Sequence, residues 1–245
     1  MLVISPNINQ SHSNNNLISA SKSKNDKEEA INENATKSNK EIDNLSLGNT
    51  INFNKTFSKK LRNLSFVYSN SYSSVDSEGL TLSKTIFFQN NRPTIDRNQN
   101  ILNNNKSNSN SADIEFIEPI TDSLRVRIGV DLDWVNEISE LKTYDFDASS
   151  QSYNDLNDLQ SNYTNSSRNS VRPKLGLTYE KNKYTFNFNS STSIIDYDNH
   201  SLYLNKDTNL NQKYMLPYIN AQIRYRFTRS KYFTLIYDYD NTLPT

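Results

Sequence analysis

Apolar and polar positions alternate strictly along Leu124–Trp134. Leu124, Val126, Ile128, Val130, Leu132 and Trp134 take the even positions, and Arg125, Arg127, Gly129, Asp131 and Asp133 the odd ones. A strand sends successive side chains to opposite faces, so a period of two predicts a two-faced strand and not a helix. At about 3.3 Å per residue the stretch spans roughly 36 Å. Ordinary strands run to about five or six residues, whereas a tilted membrane-spanning strand needs about nine to eleven. The odd face carries bare charges at mid-strand and must meet water or other charges. The even face needs an apolar medium. The pattern predicts a strand of a transmembrane β-barrel, with lipid on the even side and lumen on the odd side.

The alternation recurs on both sides of this stretch. Ile51, Phe53 and Phe57 face away from Asn52, Asn54 and Thr56, with Lys55 interrupting the apolar side. After a polar turn over 58–63, Leu64, Phe66, Tyr68 and Tyr72 alternate with serines, and Val67 falls on the polar side. Ile114, Phe116 and Ile120 lead through Thr121-Asp122-Ser123, typical turn chemistry, into the opening stretch. Val171, Leu175, Leu177 and Tyr179 precede a turn at 180–183. Tyr184, Phe186 and Phe188 follow and weaken toward Ile194. Ile219, Ala221, Ile223, Tyr225 and Phe227 alternate with Asn220, Gln222, Arg224 and Arg226. Beyond 228–232, Phe233, Leu235, Tyr237 and Tyr239 complete the set. Eight long antiparallel strands are predicted.

The connections sort by length. Segments 1–45, 74–110, 135–170 and 196–212 are long and polar; 58–63, 121–123, 180–183 and 228–232 are short. Outer-membrane barrels sort loops this way, with short periplasmic turns and long extracellular loops. Phe57, Tyr179, Tyr184, Phe227 and Phe233 crowd the short turns, where an interfacial aromatic girdle belongs. Residues 1–45 are rich in Asn, Ser, Lys and Glu and lack an apolar stripe, which predicts loop or disorder. The barrel domain is therefore expected over 46–245.

Composition agrees with one apolar face per strand and no packed interior. Only 34% of the 245 residues are hydrophobic, yet there are 15 Tyr and 11 Phe. Lys+Arg and Asp+Glu both number 27, so the basic excess of a nucleic-acid binder is missing. Cysteine is absent, which excludes disulfides, thiolate metal sites and a thiol nucleophile. No apolar run reaches the about 18 residues of a transmembrane helix. The start, Met1-Leu-Val-Ile-Ser-Pro-Asn7, is not a secretory signal, so a fragment or an upstream start is expected.

Three phrases carry a resemblance: Leu141-Lys-Thr-Tyr-Asp-Phe-Asp147, Arg172-Pro-Lys-Leu-Gly-Leu-Thr-Tyr179, and the run from Leu216 to Lys231, followed by the closing Asn241-Thr-Leu-Pro-Thr245. In their order and spacing they resemble the outer-membrane β-barrel family of Bacteroidota, the barrel part of TonB-dependent receptor-like proteins. The resemblance covers about residues 46–245. It implies an outer-membrane location and nutrient uptake, with outer-membrane lipid, a plug domain and TonB as partners. Neither the plug nor a TonB-contacting segment is recognisable here. Full barrels of this kind have about 22 strands, so eight would form roughly a third of one.

Candidate chemistry is sparse. His12 and His200 lie in polar segments about 190 positions apart, and exposed side chains are expected. Asp145, Asp147, Asp155 and Asp158 could hold calcium but lack the ligand spacing and glycine of a calcium loop. Arg125, Arg127, Asp131 and Asp133, with Arg224 and Arg226, should line the lumen, contacting substrate or plug, or pairing across strands as ladders. No nucleophile, base and orienter assemble, so no catalytic residue, cofactor or metal is assigned and no enzyme is expected. The rival readings are a soluble or surface-exposed β-sandwich of structural or adhesive role, and an enzyme built on a small barrel. Val126, Ile128 and Val130 discriminate: exposed in a barrel without its lipid, buried in a sandwich.

Overall fold

A computed structural model describes residues 1–88, 92–228 and 230–241. They form one antiparallel sheet of ten strands: β1 (Leu2–Lys24), β2 (Ala30–Thr56), β3 (Asn63–Phe87), β4 (Ile95–Pro119), β5 (Leu124–Asp147), β6 (Ser152–Leu156), β7 (Asn162–Lys181), β8 (Tyr184–Tyr203), β9 (Lys206–Arg226) and β10 (Tyr232–Tyr239). The order is up-and-down, β1-β2-β3-β4-β5-β7-β8-β9-β10, with the short β6 beside the far end of β5. This is the connectivity of a barrel wall, all-β as expected. The sheet is not closed, and β1 and β10 are its edges.

Each of the eight predicted strands falls on a separate observed strand, with Phe57, Ile120 and Phe227 one residue past the ends of β2, β4 and β9. Three expectations change. The described residues form ten strands, because β1 and β6 are added. Residues 1–45, expected as loop or disorder, pair as β1 and the first half of β2. The long polar segments 74–110, 135–170 and 196–212 are mostly strand, so the asymmetry lies in strand overhang and not in loop length. The closing phrase Asn241–Thr245 lies, from residue 242 on, outside the described residues.

The register explains the pattern. Leu2, Phe53, Phe66, Ile114, Val130 and Pro173 form one row across β1, β2, β3, β4, β5 and β7. Ile4, Ile51, Tyr68, Ala112, Leu132, Val171, Ile194 and Met215 form the next. Directly opposed residues share a face, so nine strands turn their apolar runs the same way. Ile128 is 58% exposed, while Val126 and Val130 are half-buried, and every substantial contact between elements joins sheet neighbours. No described element covers the apolar face, which overturns the β-sandwich. Ile195 and Pro119 are the buried large apolar residues among those described.

The apolar band runs obliquely to the hydrogen-bonding rows. On β1 it covers Leu2–Ile8, whose midpoint shares a row with Asp133 of β5; on β10 it covers Phe233–Tyr239, whose midpoint shares a row with Arg125. The band descends about one residue per strand between them. That is about 3.3 Å along the strand for about 4.8 Å across it, an incline of roughly 35°. Barrel strands tilt from the barrel axis by about 35–45°.

Candidate functional site

The face opposite the apolar band carries the charge. Odd residues of β4 and β5 and even residues of β7 and β9 point there, which brings Asp113, Glu115, Arg125, Arg127, Asp131, Asp133, Arg172, Lys174, Arg224 and Arg226 onto one surface.

At the level of the band's middle these groups form a closed network. Arg172 Nε donates to Asp131 at 2.7 Å. Lys174 reaches both Asp131 and Asp113. Its path depends on Gly129, which lies between Lys174 and Glu115 in the register. A Cβ there would come within 2.8 Å of the Ile114 carbonyl and 3.1 Å of Lys174 Cε. The lysine stem therefore crosses β5 over a position that holds no side chain. Asp131, only 8% exposed, is matched by cations on two sides, as a charge withdrawn from water must be. Arg127 lies 3.8 Å from Glu115, and Ser170 donates to Asp133 at 3.4 Å. Sequence reasoning placed Arg127, Asp131 and Asp133 on this face but missed Asp113, Arg172 and Lys174. These occupy polar positions of predicted strands, and only the register reveals them as partners.

Toward the short turns the same face forms a concavity of about 340 Å³, lined by Arg125, Arg127, Arg224 and Arg226 with Ile117, Val126, Thr178, Glu180, Thr185 and Asn187. The predicted lumen arginines thus come together, although β5 and β9 are separated by β7 and β8. Arg125 pairs with Glu180 at 3.0 Å. Arg224 donates to Thr234 at 3.3 Å and stacks over Tyr232 at 5.2 Å. Of the six predicted lumen residues, Asp131, Arg125 and Arg127 are thus ion-paired as the ladder reading anticipates, with Arg127 the loosest. At the apolar rim beside these turns, Tyr225 packs against Tyr184 at 4.9 Å and Phe227 at 4.8 Å.

At the opposite end a groove of about 950 Å³ is walled by β1 to β5, among its lining Ser19, Thr36, Ser83, Arg97, Gln99 and Asp145. Here the link from β6 to β7 folds across the polar face. Gln99 Nε2 donates to Asp145 at 2.7 Å and to Gln160 at 3.0 Å, while Thr143 Oγ donates to the Gln160 carbonyl at 3.1 Å. Thr143 is 2% exposed, so the most enclosed site is polar and fully bonded.

The remaining candidates stay apart. His12 meets Asp43 and His200 meets Asp207, each at 2.8 Å. Asp145 accepts from Gln99 and Asn157. Asp147 caps the β5–β6 turn, where hydrogen bonds from Ser149 and Ser150 hold it down at about 2. Asp155 faces Asp145 across the ladder, and Asp158 accepts from Asn205 at 3.4 Å. These carboxylates do not converge, and no group of three or more His, Asp or Glu suited to a metal exists among the described residues.

No protein-family model matches the chain, and no curated protein does. Among solved structures it is similar to the ferric citrate transporter FecA in its unliganded form, at 13% identity and a TM-score of 0.40, over 91% of this chain and 40% of that one. The chain spans two fifths of that transporter's length.

Proposed function

We propose that the chain is a section of the wall of a transmembrane β-barrel in a cell outer membrane, serving transport and performing no chemical transformation. The observation that carries this reading is the oblique apolar band. Nine strands place it on one uncovered face, and its slope matches the tilt of barrel strands. Tilted strands of about nine to eleven residues suffice to cross hydrocarbon, and the band on β5 is of that length. The charged face then lines the lumen.

In hydrocarbon each unpaired backbone polar group costs several kcal/mol, so the edges β1 and β10 are paired there, by further strands or by a second copy of the chain. The phrases at 141–147, 172–179 and 216–231 support nutrient uptake of the TonB-dependent receptor type, with a plug domain, TonB and lipid as partners.

Trp134, the single tryptophan, lies on the apolar face at the upper margin of the band and is 43% exposed. In vesicles containing brominated lipid, its fluorescence should be strongly quenched. Emission typical of water and indifferent to bromine would end the proposal.

A further inference from the structure

The charges of the polar face balance at mid-height and fail to balance at the short-turn end. At mid-height Asp113 and Asp131 meet Arg172 and Lys174. In the lower concavity four arginines face one carboxylate, Glu180, which is engaged with Arg125. Among the described residues Arg127 has only Glu115, at 3.8 Å, and Arg224 has neutral partners, Thr234 and the Tyr232 ring. A guanidinium cannot shed its proton to relieve this crowding. The excess charge is left open to an anion from outside the fold.

The arginines stand in two pairs, on β5 and on β9. Three strand spacings of about 4.8 Å, roughly 14 Å in all, separate their backbones. The pairs flank Thr185 and Asn187 of β8, with Arg127 leaning toward Glu115 of β4 and Arg224 toward Tyr232 and Thr234 of β10. Paired guanidinium forks on either side of such donors suit an anion with several oxygens, each of which a fork can grip.

We infer that this concavity binds a small multivalent oxyanion, bearing phosphate or carboxylate groups. The inference rests on the barrel reading in one respect: the polar face is then the lumen, and the site lies on the path of a permeating anion. Arginine-lined constrictions are how pores favour anions.

The test uses the full chain refolded in detergent, with pyrophosphate as probe, titrated calorimetrically at low ionic strength. Saturable binding near one per chain is expected, persisting when sodium chloride replaces the ionic strength of the probe. The double variant R224Q/R226Q should weaken it at least tenfold while Trp134 quenching in brominated vesicles is unchanged. R97Q, on the same face in the upper groove, should leave binding within twofold of the parent. The inference falls if pyrophosphate does not saturate, if R224Q/R226Q binds like the parent, or if R97Q weakens binding equally, since attraction would then be diffuse. The barrel reading fails separately: unquenched Trp134 with intact, arginine-dependent binding would remove the lipid and leave the anion site standing.

Discussion

Among single residues, Gly129 has the sharpest consequence. A methyl group there meets the Ile114 carbonyl at 2.8 Å, and backbone cannot step aside as a flexible side chain can. Gly129→Ala should destabilise the sheet by about 1–3 kcal/mol, the usual cost of overpacking, read from urea unfolding in detergent. It should also push Lys174 off its route to Asp113. A second prediction belongs to His12, above the band on the apolar side. Its hydrogen bond to Asp43 raises its pKa from the ordinary 6.5. The imidazolium is thus favoured in the folded pair, and its contribution is complete below pH 6.5 and lost as pH rises through the higher folded value. In an H200Q background, a proton NMR titration should place His12 above 6.5, and Asp43→Asn should bring it back down. The sequence showed that Asp131 and Arg127 share a face. It could not show Lys174 lying across Gly129, because that depends on which residue of β7 opposes which residue of β5.

The strands themselves divide into two regimes. Near the short turns one face is apolar, so the period of two is written in the residues and eight strands were legible. Beyond the band both faces are wet and hydropathy no longer alternates. Residues 30–45, 74–79 and 95–110 therefore read as polar connections, although they pair as strand. Ladder bonds hold them, with side-chain bonds such as Asn34 to Thr85 at 2.8 Å and Ser38 with Thr81 at 3.0 Å. The two regimes predict opposite tolerance on one strand. Ile128 and Ile138 lie on the same face of β5, but Ile138 opposes Lys106 and Asn165, above the band. Ile128→Arg should cost about 2–4 kcal/mol near the bilayer midplane, and Ile138→Arg about 0–1. Refolding yields into vesicles check the pair, and equal yields would place both positions in the same medium.

For the whole molecule, the band sits at one end of a much taller sheet. About fifteen residues of β3 continue past Tyr72; at about 3.3 Å per residue and a 35–45° tilt they rise roughly 35–40 Å. In the proposed barrel the turn at 25–29 would therefore stand far above the membrane, and the turn at 57–62 immediately below the apolar rim. An asymmetric wall of this kind has a definite sidedness, and the lack of native cysteine makes it measurable. Asp26→Cys and Ser58→Cys alter exposed turn positions at opposite ends of β2. In sealed vesicles holding the protein in one orientation, an impermeant maleimide added outside should modify one variant and spare the other until the vesicles are opened. Permeabilisation should then release the second to full labelling. Modification of both from outside would mean that the sheet lies along the membrane or off it, and the charged face would then line no lumen.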